Sequence, residues 1–354
     1  MNIKIHSSEM NRMMKTITQC IDPRDPNKGN VEVIYDNNLL TVRGTNGVTS
    51  AMMSTPLLGG DGESFCVDGT MFARVCAMCS GEISVSTDGK VCTVKGAGRT
   101  RIPVVKASIP AFEPVKGKEC KVKAEAFARG YSSVSYAISA DQSRVVLTGV
   151  LVESMNDGIT MVSLDGFKMA VESIPCESEQ MRIVIPGQFM KLVSASTVAG
   201  EVITIRTDGK RVQAETDCMK AVCVLLSGDF PDYKRIVPAD FRTSTLVNSE
   251  AIQGALKSGS VVNSSNNLVK LKVTENDITV MSNSEQADFD AEVSCATNGE
   301  DITIAFNHKF LMETINSIGD EEITFRFNTP ISPCIISRKD TDGYRLILPV
   351  RVAG

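Results

Sequence analysis

The stretch Val31-Glu32-Val33-Ile34-Tyr35, followed by Asp36-Asn37-Asn38 and then Leu40-Thr41-Val42, decides how this 354-residue chain folds. β-Branched residues alternate on both sides of a short Asp/Asn turn, the pattern of a β-hairpin. The pattern returns twice. Val150 to Glu153 precedes Asn156-Asp157-Gly158 and Ile159-Thr160-Met161, and Val269 to Val273 precedes Glu275-Asn276-Asp277 and Ile278-Thr279-Val280. From Leu40 to Ile159 to Ile278 each step is 119 residues.

A second series keeps almost the same period. Ile83-Ser84-Val85, Ile203-Thr204-Ile205 and Ile323-Thr324-Phe325 are 120 residues apart, and an identical Thr-Asp-Gly-Lys turn follows the first two at Thr87 to Lys90 and Thr207 to Lys210. Two independent series with one spacing indicate an internal repeat. Upstream of each member lies a run with helical spacing: Met71, Phe72, Val75, Met78 and Cys79; Phe189, Met190, Val193 and Thr197; Phe310, Leu311, Thr314 and Ile315. Cap or turn residues open these runs at Asp68-Gly69-Thr70, Pro186-Gly187 and Asn307. A second helix opens each copy, over Glu9 to Cys20, Ala124 to Ile138 and Ser249 to Val261. Antiparallel hairpins with two helices on one face make the class α+β. Charge and turn residues interrupt the pattern near Lys116-Gly117-Lys118-Glu119 and Pro238 to Ser244, which divides the chain into domains 1–117, 118–240 and 241–354.

Bulk properties exclude several classes. With 42% hydrophobic and 22% charged residues the chain can bury several cores, so disorder is excluded. No apolar run approaches the ~20 residues a bilayer span needs, and the N-terminus alternates like a strand instead of resembling a leader. A cytoplasmic protein without a membrane partner is the expectation. Eleven cysteines scattered over this length do not form a disulfide scaffold and read as reduced thiols. A net charge of −5 gives no general nucleic-acid signal, although net charge says nothing about one basic inner surface.

Candidate chemistry is sparse. Cys76-Ala77-Met78-Cys79 has redox or metal spacing but no second pair, so both thiols are expected to face a core. The chain has two histidines, His6 and His308, too few for a triad or a His-rich metal centre, and His308 is expected at the surface. Gly96-Ala97-Gly98 and Gly59-Gly60-Asp61-Gly62 lack P-loop residues and read as hairpin loops, and Asp229 and Asp232 lie in a loop without a base. No cofactor, metal or catalytic residue is expected. Arg12, Lys15, Arg74, Arg129, Lys191, Lys257 and Lys309 place a cation on every expected helix, a basic lining if those helices face one centre.

The segment Gly228-Asp229-Phe230-Pro231-Asp232-Tyr233-Lys234-Arg235-Ile236-Val237-Pro238 resembles the linker leaving the second domain of the bacterial DNA polymerase III beta subunit, the DNA sliding clamp family. Leu147-Thr148-Gly149-Val150, Leu164-Asp165-Gly166-Phe167-Lys168-Met169-Ala170, Phe306-Asn307-His308-Lys309-Phe310-Leu311 and Leu346-Ile347-Leu348-Pro349-Val350-Arg351 agree in order and spacing. The likeness spans the whole chain.

The resemblance implies three tandem copies of the DNA-clamp domain in a head-to-tail homodimer. The result is a closed ring of six domains and twelve helices around double-stranded DNA, with the enclosed DNA held without sequence readout. It implies a processivity factor, not an enzyme. Its implied partners are the polymerase III catalytic subunit, the clamp loader and other proteins carrying a clamp-binding motif. Arg24, Gln142 and Arg144 fall where the family contacts DNA; Arg74 and Lys191 join them as helix-borne candidates. The family's partner-peptide pocket carries over to Leu147, Leu164, Gly166, Phe167, Lys168, Met169, Pro231, Arg235, Ile236, Asn307, Phe310, Ile331, Leu346, Ile347, Leu348, Pro349, Val350 and Arg351, apolar positions with a few polar ones. For the dimer interface, Ile109 and Phe112 would meet Val261 and Val262.

The chain departs from the family at Asp22-Pro23-Arg24-Asp25-Pro26-Asn27-Lys28, at Leu164 and Phe167 in the pocket, at Asn266, and in the extra Ala353-Gly354. These differences bear on the partner peptide. Two other readings compete: a redox or metal protein built on Cys76 and Cys79, and a repeat scaffold that binds peptides without encircling DNA.

Overall fold

The first hairpin closes on the expected turn. Tyr35 pairs with Leu40 and Val33 with Val42, while Asn37 and Asn38 hold φ of 48° and 60°. That is the left-handed pair a two-residue hairpin requires and asparagine tolerates. Ser154 pairs with Ile159 and Lys272 with Thr279 in the later copies. The two Thr-Asp-Gly-Lys turns are also alike. Asp88 Oδ1 accepts from Lys90 and Val91 N–H at 2.9 and 2.8 Å, and Asp208 Oδ1 from Lys210 and Arg211 N–H at 2.9 and 2.7 Å.

The computed structural model describes residues 1–62, 64–96, 98–155, 157–262, 267–339 and 342–351; Ala97, Asn156, Asn266 and Ala353-Gly354 lie outside the described residues. The first copy runs β1 (Asn2–His6), α1 (Ser7–Ile17), β2 (Asn30–Asp36), β3 (Leu39–Thr45), β4 (Thr49–Pro56), β5 (Gly60–Asp61), β6 (Ser64–Asp68), α2 (Gly69–Ala77), β7 (Glu82–Thr87), β8 (Val91–Lys95) and β9 (Arg99–Pro103). The second repeats that order with β10 (Lys118–Lys123), α3 (Ala124–Ser135), β11 (Gly149–Met155), β12 (Gly158–Leu164), β13 (Lys168–Pro175), β14 (Glu177–Ser178), β15 (Arg182–Pro186), α4 (Gly187–Ser196), β16 (Val202–Thr207), β17 (Arg211–Glu215) and β18 (Met219–Val224). The third has β19 (Thr243–Asn248), α5 (Ser249–Gly259), β20 (Leu268–Val273), β21 (Asp277–Asn283), β22 (Asp288–Gly299), β23 (Ile302–Asn307), α6 (His308–Asn316), β24 (Glu322–Phe327), β25 (Cys334–Arg338) and β26 (Tyr344–Ile347). In this copy one long strand, β22, takes the places of β4 and β5 together. Gly60-Asp61, expected in a loop, is a short strand that pairs with Asn2 and Ile3.

Packing divides the chain differently from the repeat. Unit 1 comprises residues 1–128 and 176–225, unit 2 residues 129–175 and 226–354, so the second copy contributes to both. Unit 1 holds two antiparallel sheets, ordered β5-β1-β7-β8-β9 and β14-β10-β16-β17-β18-β4-β3-β2-β6. Within unit 2 the order is β11-β12-β13-β26-β25-β24-β19-β22-β21-β20-β23. A seam between successive copies therefore forms inside each unit: β4 pairs with β18 through Ala51↔Ala221 and Met53↔Met219, and β13 pairs with β26 through Lys168↔Ile347 and Met169↔Leu346.

Strand alternation and helix amphipathicity bury the cores. In unit 2, Ile252 and Leu256 of α5 and Leu311 and Ile315 of α6 pack on Val269, Leu271, Val280, Phe306 and Phe325 of the sheet. Each helix in that pair begins at an asparagine whose side chain accepts a backbone N–H: Asn248 from Ala251 and Asn307 from Phe310. Asp68 caps α2 through Met71 N–H in the same way. Such caps satisfy donors that the first helical turn leaves open. Among the described residues, no helix is long and apolar enough to cross a membrane.

Two strand edges stay open where the repeat would supply a neighbour. Among the described residues β9, the counterpart of β18 and β26, pairs only with β8 and ends its sheet. In β22, the counterpart of β4 and β13, Asp288 to Ser294 pair with β21, and among the described residues no strand pairs on their other side. Alternate residues of that segment are exposed.

Candidate functional site

The pocket residues of unit 2 gather around the β13–β26 seam. The turn before β13 is built by Asp165, whose Oδ1 accepts from the N–H groups of Phe167 and Lys168 at 2.8 and 2.9 Å. Gly166 holds φ +98° there, a conformation that side chains disfavour, so this turn position belongs to glycine. The turn projects Phe167 outward at 59% exposure, against Phe310 of α6 with ring centroids 5.7 Å apart. Beyond β26 the chain is held at two points: Leu348 N–H donates to Phe167 O at 2.9 Å and Val350 N–H to Ala305 O at 2.8 Å. Leu348 and Val350 remain exposed, whereas Leu147, Leu164, Met169, Leu346 and Ile347 are buried. Pro349 is half-buried and Arg351 exposed.

Lys168 supplies the buried charge. It is 6% exposed, ion-paired to Glu313 of α6, 3.8 Å from Asp165, and 4.8 Å above the Phe310 ring. A buried ammonium needs such partners, because desolvation alone disfavours it. Two carboxylates thus offset the buried charge. Asn307 is committed to capping α6.

Pro231, Arg235 and Ile236 lie on the linker, which Tyr233 anchors by donating to Glu153 Oε2 of β11 at 3.1 Å. Arg235 is 2.9 Å from Asp232 and exposed, as are Pro231, Ile236 and, in the loop after β24, Ile331. The turn 165–168, α6 and the terminal segment are thus joined by direct contacts; the contacts of the linker run to β11.

Among the proposed DNA-facing residues, Arg24 sits in a turn after α1 where Asp22 Oδ1 accepts its N–H at 3.0 Å. Gln142 and Arg144 lie in the irregular segment before β11. Arg74 lies on α2 and Lys191 on α4, and all five side chains are exposed. The four cations form no ion pair among the described residues, whereas Arg12 is bound to Glu9 and Lys309 lies 4.0 Å from Glu313.

Several expectations change. Of the residues expected at a dimer interface, Ile109 is buried and Phe112 is half-buried, lining a cavity of about 300 Å³ with Thr45, Val48, Cys223 and Val224. Val261 is exposed and Val262 half-buried just beyond α5. His308, expected at the surface, is buried, and its Nε2–H donates to the Leu256 carbonyl at 2.8 Å, linking α6 to α5. Cys76 is buried, with burial pushing its thiol up to about 12, and Cys79 donates to Val75 O at 3.3 Å. No group of three or more His, Cys, Asp or Glu side chains is placed to hold a metal ion among the described residues. The open edges β9 and β22 were missed, although the 120-residue period carried one strand further would have found them.

Three tandem copies of a unit with two helices on antiparallel sheets define the DNA-clamp class of fold. Residues 121–232 match the model of the DNA polymerase III beta subunit central domain, and residues 234–351 that of its C-terminal domain. The beta sliding clamp of Streptomyces coelicolor is 25% identical over 308 residues, covering 81% of this chain and 82% of the relative. The crystal structure of the DNA polymerase III beta subunit of Thermotoga maritima matches with a TM-score of 0.91 at 24% identity, over 99% of this chain and 100% of that one. The Pseudomonas aeruginosa sliding clamp solved bound to griselimycin gives 0.93 at 19% identity, again over 99% and 100%. The chain belongs to the DNA polymerase III beta subunit family, the sliding clamps.

Proposed function

We propose that two copies of this chain close head to tail into a ring around duplex DNA and hold the replicative polymerase on its template. The observation that carries the reading is the pair of open edges. Two of the three seams that a threefold repeat can make are filled within one chain, by β4 with β18 and β13 with β26. The third needs β9 of one copy against β22 of another, and a heterologous contact of this kind closes when the rotation completes a circle. The domain divisions 1–117, 118–240 and 241–354 give each subunit three equivalent sectors. The interface then lies along Arg99 to Pro103 and Asp288 to Ser294, with Val261 and Val262 near it.

A ring retains DNA topologically, so its contacts need only be weak and indifferent to sequence. Arg24, Arg74, Arg144 and Lys191 suit such contacts, because cations without ion pairs attract phosphate and are screened by salt, and the Gln142 amide can donate to a phosphate oxygen. The site around Phe167, Phe310, Leu348 and Val350 would receive an extended, largely apolar peptide from the polymerase, the clamp loader or another clamp-binding protein. The chain acts as a cytoplasmic processivity factor without an active site of its own.

The test is retention on a circle. Protein loaded on nicked circular DNA by a cognate loader should stay bound through gel filtration and be released when the circle is cut. Retention unchanged by cutting would mean ordinary surface binding and overturn the ring.

A further inference from the structure

Cys120 and Cys176 bring two thiols together within unit 1. Cys120 lies in β10 and is 1% exposed; Cys176 immediately precedes β14 and is half-buried. Their Sγ atoms are 3.5 Å apart. The backbone holds the two segments in register, since Cys120 pairs with Ser178 and Lys121 with Glu177, and Glu119 and Glu179 add a backbone bond of 2.9 Å and a side-chain bond of 2.7 Å. The contact is thus held by a strand on one side and by the link between β13 and β14 on the other. It also lies where the chain, having left for unit 2 after residue 128, returns at residue 176.

We propose that Cys120 and Cys176 are an oxidisable dithiol that a low-molecular-weight disulfide converts into a reversible staple across the second copy. The order of events follows from exposure. The Cys176 thiolate attacks the external disulfide, releasing one thiol and leaving a mixed disulfide. Cys120, too buried to meet the reagent, then attacks Cys176 Sγ and expels the second thiol. One external disulfide is reduced to two thiols, which take up the two protons that the cysteines lose, and one protein disulfide forms. Hydrogen bonding to Cys176 and burial raise the Cys120 pKa, so Cys120 gives up its proton to the departing thiolate as it attacks. The staple would join residues 56 positions apart, enclosing α3 and the β11–β13 strands. A thiol reductant would reopen it.

The test uses the full-length chain and oxidised glutathione, followed by alkylation in denaturant and peptide mapping without reductant. The expected product is one cross-linked peptide pair joining Cys120 to Cys176, lighter by two hydrogen atoms. The count of titratable thiols should fall by two from eleven and recover with dithiothreitol. In Cys176→Ser the pair should vanish, and in Cys120→Ser a glutathione adduct should persist on Cys176. Should Cys120→Ser fail to fold, the wild-type map and Cys176→Ser still decide. An unchanged thiol count, a bond formed at Cys76–Cys79 instead, or a wild-type glutathione adduct that Cys120 never resolves would each overturn the proposal.

Discussion

The two seams share one backbone plan and differ in side-chain chemistry. In unit 1, β4 meets β18 through small or flexible apolar residues: Ala51, Met53, Met219, Ala221 and Cys223 are each no more than 2% exposed, and Thr49 donates to Cys223 Sγ at 3.3 Å. In unit 2, the β13–β26 seam buries ions. Glu172, in β13, is bound by Arg338 and by Arg345, whose Nη2 is 2.7 Å from its Oε2. Arg345 is 2% exposed and also donates to Val171 O at 2.7 Å and Ser317 Oγ at 3.1 Å. The same seam carries the turn with Phe167 and Lys168. Repetition thus supplies the pairing, while the seam that differs in chemistry carries the candidate docking site.

Breaking the ion cluster should have the largest effect. Glu172→Ala leaves the buried Arg345 without its carboxylate, while the half-buried Arg338 keeps Asp320 at 3.8 Å, and ~3–5 kcal/mol of unit 2 stability should be lost. Denaturant titration with hydrogen exchange on β13 and β26 would read this; a loss below about 1 kcal/mol would show the cluster to be solvated. The first seam should instead be sensitive to volume. Ala221→Leu, overfilling the space opposite Ala51, should cost about 1–3 kcal/mol, read as a lower melting temperature and faster exchange in β4 and β18.

Alkaline pH should sharpen the contrast. Burial raises the thiols of Cys20, Cys76 and Cys92 in unit 1 from 9.0 to about 12, and raises Cys334 in unit 2. A raised acid pKa means that the folded state holds the proton more tightly. The contribution is therefore whole below pH 9 and falls as pH climbs toward 12, by ~1.4 kcal/mol per unit for each thiol. Exchange in α1 and α2 should accelerate more steeply above pH 9 than in β25; equal acceleration would contradict this account. The smallest stability change is expected at the docking site. Phe167→Ala, at an exposed ring, should alter stability by under about 0.5 kcal/mol while weakening capture of a clamp-binding peptide roughly tenfold. Calorimetric titration separates the two effects.

The helices and hairpins were legible because their signals are local. Asn37-Asn38 and the two Thr-Asp-Gly-Lys segments carry their turn geometry in adjacent residues, and the helix starts at Asp68 and Asn307 carry their own caps. The turn Asp165 to Lys168 was legible as a motif, but not that Lys168 is buried beside Glu313. His308 misled because a histidine next to a helix start looks solvated, and its acceptor, the Leu256 carbonyl, lies 52 residues away.

By itself, the sequence determined the repeat, its period, the two helices and the hairpins of each copy, and the family, since each is written in short-range pattern or in aligned motif. Tertiary structure alone decided which strands join across copies, which edges stay open, and where charge is buried. Glu172 meets Arg338 and Arg345 across 166 and 173 residues. Pairing at that range depends on the folded sheet bringing distant strands into register, and no local propensity encodes it.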